Sequence, residues 1–447
     1  MDIRRVKKPE LIIPMDKKRF FLLFIFLLLI LRTAYGLVTE IWSPDEMQIL
    51  LLGLKFYTSH DWPFFGPFVV YNFYQIPGAL QALLTGGPLF LFPFAETPFI
   101  FLSLITFLAL CLLSWYIEKR VTGLPWWLIW GLVMALPWSV QFGTRIINPS
   151  YELVFSVLFF IGFFELMPLY KEKLISPGLA SFMVGISLVC MLQLQLSWVL
   201  LLPFVLAILI FLLSNRSLRL NHAGMFSLGL LAGLLTLIPT LHVYGFSAYN
   251  GAASYVVFQT ENLLKFVDIL IRFLSFSTYE VSYFLGKPSD RFMEMRLYPW
   301  MMPSSFLLLG FGFIQVAFFI VSFFLKRNQP DWKFVKWLSF STVIVICLYF
   351  LFSSKGPSSH TFYILYPVSL IYSMFCYQYI FQKKPRLFKI VFIVVLLSGA
   401  VYMTGMARYN YKFRSLYVDR ERIQKAIDKK DYTLAGKPLV NKWIDGN

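Results

Sequence analysis

Charge is scarce in this chain, and acid is scarcer than base. Only 14% of its 447 residues are charged, with 23 Asp and Glu against 40 Lys and Arg, too little polar surface to keep a soluble domain of this size in solution. Cysteine is down to four residues, Cys111, Cys190, Cys347 and Cys376. Each lies singly inside an apolar segment, which excludes a disulfide framework and a metal knuckle. The histidines at 60, 222 and 242 are unclustered and carry no assignment. There is no Gly-x-Gly-x-x-Gly after a strand, no Walker A loop, no Asp-x-Asp pair and no Cys/His metal spacing. Nucleotide binding therefore has no foothold, and a pump or a nucleotide-sugar enzyme is disfavoured. Internal repeats of fixed period are also absent.

What is present is apolar. Hydrophobic residues make up 58% of the chain and the mean hydropathy is +0.68, values of an all-α polytopic membrane protein. The net charge of +17 does not point to nucleic acid, because the basic residues sit in short clusters between apolar runs, as the positive-inside rule requires. They read as topology and contact with anionic membrane lipids. Eleven spans are expected, near 20–38, 98–117, 124–142, 151–170, 178–195, 196–213, 223–244, 303–325, 334–353, 361–381 and 388–407. The first follows Lys17-Lys18-Arg19 and lacks a small-residue cleavage site, so it is expected to remain as a span.

With residues 1–19 as a basic cytoplasmic N-terminus, 20–407 forms the membrane domain and 408–447 a short charged tail. Lys119/Arg120, Lys171/Lys173, Arg216/Arg219, Lys326/Arg327 and Lys383/Lys384 then all fall on the cytoplasmic side. A first outer loop at 40–97, a turn at 141–150, a long outer loop at 245–302 and a turn at 353–360 fall outside. The stretch 76–94 is apolar but broken by Pro77, Gly78, Gly86, Gly87, Pro88 and Pro93, and reads as juxtamembrane or re-entrant helices. The tail also lands outside, although its ten Lys and Arg suit that side poorly. Most Trp residues read as interfacial anchors.

Just beyond the first span stands Trp42-Ser43-Pro44-Asp45-Glu46. A helix over 20–38 rises roughly 29 Å, one hydrocarbon thickness, so two adjacent carboxylates emerge at the far membrane surface. Carboxylates against a bilayer lose hydration and are kept for charge or proton chemistry. The same residues fit a helix start equally well, with Ser as N-cap, Pro at the first helical position and acids complementing the dipole.

This arrangement resembles the GT-C superfamily of membrane glycosyltransferases, in particular the group of the protein O-mannosyltransferases and the lipid A aminoarabinose transferase. The residues that carry it are Pro44-Asp45-Glu46 after one span, Tyr74-Gln75-Ile76-Pro77, Glu118-Lys119-Arg120, Gln193-Leu194-Gln195-Leu196-Ser197 and His360-Thr361-Phe362-Tyr363 before Pro367. Only the Asp45-Glu46 element is specific. The resemblance implies a GT-C-like bundle of about eleven transmembrane helices. It also implies inverting transfer of a sugar from a polyprenyl-phosphate donor to a glycolipid or polysaccharide acceptor, on the extracytoplasmic face of a bacterial inner membrane. Asp45 is then the general base for the acceptor hydroxyl. For Glu46, assisting Asp45, holding a divalent cation, pairing with a nearby cation and a purely structural role all remain open.

A departing phosphate needs fixed positive charge. Arg145, the only basic residue of its turn, and Lys355 and His360 around Gly356-Pro357 are the outer-face candidates, against headgroup contact and snorkelling. The lysine that aminoarabinose enzymes carry before paired prolines is replaced here by Gln75-Ile76-Pro77, so its role is not carried over. No large soluble C-terminal domain is expected after the bundle, which disfavours a polypeptide acceptor. Two other readings stand beside the transferase: a transporter or flippase of a lipid-linked saccharide, and a polymerase or ligase of polysaccharide. A transporter is expected to hold ionisable residues near mid-membrane, whereas most expected spans here are free of charge at their middle, with Glu165 as the main exception.

The topology is checked by cysteine substitution and labelling with a membrane-impermeant thiol reagent in intact cells. Positions 250 and 358 are expected to label and position 327 to stay protected, while labelling at 327 but not at 250 inverts the whole assignment.

Overall fold

The computed structural model describes residues 17–39, 44–69, 74–170, 172–214, 220–246, 256–276, 295–325, 327, 330–354, 356–358, 360–361, 363–413 and 416–436. Among these, eight helices are long and apolar enough to cross a membrane, or nine if one bent pair counts as a single span. The chain is an all-α polytopic membrane protein, with one small hairpin among the described residues.

The bundle opens with α1 (Lys17–Val38), whose first half exposes Leu22, Leu23, Phe26 and Leu27 as a lipid-facing helix does. It continues through α4 (Thr97–Arg120), α7 (Glu152–Leu166), α8 (Pro177–Leu194), α9 (Leu202–Ser214), α10 (Leu220–Leu234), α13 (Met301–Phe324), α14 (Pro330–Leu351), α15 (Tyr366–Lys383) and α16 (Pro385–Phe413). Helices α8 and α10 cross in close contact. A Cβ on Gly185 would lie 2.3 Å from the Phe226 carbonyl oxygen, and one on Gly229 2.3 Å from that of Phe182. Backbones meet here because neither helix carries a side chain at the crossing, the usual means of packing helices in lipid.

Three expectations are corrected. The span expected at 124–142 is two helices, α5 (Trp126–Ala135) and α6 (Pro137–Thr144), separated by Leu136 in extended conformation. Proline disfavours helical geometry in the residue before it, and Pro137 follows Leu136 directly. The span at 151–170 is the 15-residue α7, roughly 22 Å long and packed on nearly all sides. The span at 223–244 bends by 66° between α10 and α11 (Ile238–Tyr244).

The stretch expected as a long outer loop does not stay outside the bundle. Its helix α12 (Phe266–Ser275) inserts among α13, α14 and α15, where Gln315 Nε2 donates to the Leu274 carbonyl at 2.9 Å and the Ser369 hydroxyl donates to that of Phe273. Ahead of it, Asn262 Nδ2 donates to the Phe350 carbonyl at 2.8 Å.

The first connection carries α2 (Pro44–Ser59), an antiparallel hairpin of β1 (Phe65–Val69) and β2 (Tyr74–Pro77), and α3 (Leu80–Gly86). The Tyr74-Gln75-Ile76-Pro77 stretch is thus a strand, with Gln75 opposite Phe68 and Pro77 opposite Phe65. Pro67 is accommodated by an irregularity between Phe65 and Phe68, as proline in a strand requires. Helices α2 and α3 cross at Gly53 and Gly86, where an added Cβ on Gly86 would sit 2.2 Å from the Gly53 carbonyl oxygen.

Candidate functional site

Asp45 and Glu46 stand in the first turn of α2. The Asp45 side chain lies outside the described residues. Glu46 is 5% exposed, and its neighbour on the same helix, Gln48, is equally buried. Below them Ile49, Leu50, Leu51 and Leu54 share one core with Leu80 of α3, with Ile146 and Tyr151 of the turn between α6 and α7, and with Leu194 of α8. The Tyr151 and Thr85 hydroxyls are 3.2 Å apart. The helix that bears the acidic pair therefore shares one apolar core with the turn that bears Arg145.

Arg145 follows the last residue of α6 in extended conformation and is 7% exposed. Its Nε is buried and makes no hydrogen bond among the described residues. His360 is exposed, with its Nδ1 2.7 Å from the Ser358 hydroxyl. Lys355 lies outside the described residues. The structure thus brings Glu46 and Arg145 onto one packed end of the bundle and leaves His360 at its surface.

Two buried charges at this end were not singled out from the sequence. Glu152, fully buried, is the first residue of α7. Its Oε1 accepts from the Ser197 hydroxyl at 3.3 Å, and its Oε2 has no partner among the described residues. A carboxylate at a helix start is favoured by the dipole. Tyr363 lies within electrostatic reach of both Glu152 and Arg32, and its buried hydroxyl has no hydrogen bond among the described residues.

Arg32 is the second charge, 3% exposed within α1. It donates through Nη1 to the Met134 carbonyl at 2.6 Å and through Nη2 to the Ser139 carbonyl at 2.8 Å. These carbonyls flank the α5–α6 break, so the guanidinium supplies donors where the helix ladder is interrupted. Gly143 makes room for it, since a Cβ there would come 2.6 Å from Nη2. The sequence signal was a lone arginine inside an apolar run, which marks a functional or structural position by default. Nearby, Gln81 is buried with neither amide atom bonded among the described residues, while Gln75 Nε2 donates to the Gly66 carbonyl at 3.0 Å.

The opposite end is basic and structurally committed. Glu165 pairs with Arg120, accepts from the Tyr116 hydroxyl at 2.7 Å and from the Leu174 N–H at 3.0 Å. Arg120 stacks 4.0 Å over the Tyr170 ring. The exceptional carboxylate of the spans is therefore a staple for the connection between α7 and α8. Burial pushes the Lys173 ammonium below its ordinary range, and its Nζ donates to the Met167 carbonyl at 2.9 Å. Among the described residues, no group of three or more His, Cys, Asp or Glu is placed to hold a metal ion.

The order of elements is a single span, an acidic helix start, a short juxtamembrane module and a long membrane bundle. Among solved structures the chain is similar to ArnT from Cupriavidus metallidurans in the apo state, with a TM-score of 0.50 and 13% identity over 88% of this chain and 76% of that one. It is also similar to ArnT from the same organism bound to undecaprenyl phosphate, with a TM-score of 0.48 and 12% identity over 92% and 78%. No protein-family model and no curated protein matches the sequence.

Replacing Arg32 by Met keeps its bulk and leaves two buried carbonyls unmet, at a cost of about 2–4 kcal/mol. The variant is expected to melt at a clearly lower temperature in detergent than the wild type, with Arg32→Lys in between. An unchanged melting temperature for Arg32→Met contradicts the role given to this side chain.

Proposed function

We propose that this protein is an inverting glycosyltransferase that moves a sugar from a polyprenyl-phosphate donor to a glycolipid or polysaccharide acceptor on the extracytoplasmic face of a bacterial inner membrane. The observation that supports it is the start of α2. Asp45 and Glu46 open a helix that shares one apolar core with the turn between buried Arg145 and Glu152, in a bundle similar in fold to ArnT.

In this reading Asp45 takes the proton of the acceptor hydroxyl as its oxygen attacks the anomeric carbon. The bond from that carbon to the phosphate oxygen breaks on the opposite face, and the configuration inverts. Arg145 compensates the charge of the leaving phosphate, with Lys355 and His360 as further cations from the 353–360 turn. A guanidinium buried away from water is worth more to a developing anion than an exposed one. Glu46 assists Asp45 by fixing its charge environment. Buried amides such as Gln81, without a hydrogen bond among the described residues, suit sugar hydroxyls, which need both donors and acceptors.

A transporter of lipid-linked saccharide is the second reading, favoured by the two broken helices α5–α6 and α10–α11. Transport leaves the bond between sugar and phosphate intact, whereas transfer releases polyprenyl phosphate.

Asp45→Asn keeps shape and removes basicity, so release of polyprenyl phosphate is expected to fall by a factor of about 100 or more while protein level and donor binding persist. Near-normal release in this variant removes Asp45 as the base. Arg145→Ala is expected to raise the KM for the donor far more than that for the acceptor. Equal effects on both substrates, or none, remove Arg145 from the phosphate site.

A further inference from the structure

The C-terminal helix α17 (Leu416–Asp428) lies back across the beginning of the chain. Arg420, in its second turn, donates through Nη2 to the Leu37 carbonyl in the last turn of α1 and comes within 3.8 Å of Glu96, the residue before α4. One turn on, the Gln424 side chain accepts from the Ala95 N–H at 2.9 Å and donates to the Pro93 carbonyl at 3.0 Å. Ile423, Ala426, Ile427 and Ala435 are 0–2% exposed in the core of Ile49, Leu50 and Leu54 of α2. The Lys430 ammonium sits 3.5 Å over the Tyr57 ring.

These contacts bracket one stretch of chain. The last carbonyls of a helix have no partner within it, and a cation is favoured there by the dipole. Arg420 meets such a carbonyl at position 37, eight residues before Asp45, while the apolar face of α17 holds α2 from position 49 onward. The ion pair with Glu96 is long and partly exposed, so it contributes little. The charge-assisted bond to a backbone carbonyl is the stronger contact.

We infer that the C-terminal segment is a brace and that Arg420 is a positioning residue. Together they fix where α1 ends and α2 begins, and so hold the acidic pair in register with the Arg145 turn. The consequence for catalysis rests on the function proposed above, but the ordering of the junction does not.

Hydrogen exchange of the full-length protein in lipid nanodiscs tests the ordering, and transfer measured on the same preparations tests the consequence. Arg420→Ala is expected to speed exchange over 37–50 by about tenfold or more, with 97–120 unchanged. Turnover should fall similarly while the donor KM holds. Arg420→Lys, which keeps charge but loses the planar fork, is measured in parallel and should fall between the two. Unchanged exchange over 37–50 in both variants overturns the brace. Faster exchange with normal turnover, in a preparation where Asp45→Asn is inactive, overturns the positioning role. Normal turnover in Asp45→Asn overturns the transferase reading instead, and the exchange data then decide the brace alone.

Discussion

A backbone that leaves helical form inside an apolar bundle must have its amides and carbonyls met from elsewhere in the protein, because lipid offers no partners. Four irregularities among the described residues carry such a partner. Arg32 meets the Met134 and Ser139 carbonyls at the α5–α6 break. At the α10–α11 bend, Gln193 accepts from the Thr236 hydroxyl at 2.9 Å and donates to the Gly233 carbonyl at 3.0 Å, while the Ala79 N–H donates to the Thr236 carbonyl at 3.3 Å. Gln315 and Ser369 receive the end of α12, and Arg420 receives the end of α1.

The spans were legible because an apolar run of about 20 residues flanked by lysine or arginine has few other uses. What was hidden was non-local or short. Pro137 within an otherwise apolar run hid the division of 124–142, since proline is tolerated in membrane helices when a neighbour restores the lost bonds, and here that neighbour is Arg32, more than 100 residues away. The 65–77 hairpin is too short to show a period of two against its aromatic and proline content. Helix α12 carries charge at Asp268 and Arg272, which pair with each other at 3.0 Å, and that charge disguised a segment that inserts into the bundle.

Among the candidate site residues, Asp45, Glu46 and Arg145 stood out because each is a polar residue next to a span end. Glu152 did not, because a single acid at the start of a span reads as a boundary marker, and only packing reveals that it is fully buried. The tail illustrates the same limit: its ten Lys and Arg argue about sidedness, whereas its function in the fold comes from Ile423, Ile427 and Arg420 meeting residues some 370 or more positions earlier.

The central claim, that this end of the bundle transfers a lipid-borne sugar, is tested most directly by mass analysis of cell-envelope glycans and lipid-linked intermediates with and without the protein. The account predicts that one glycan loses a single sugar residue while the corresponding polyprenyl-phosphate sugar accumulates. An unchanged glycan profile, or loss of a whole saccharide with its lipid-linked form building up intact, would contradict it.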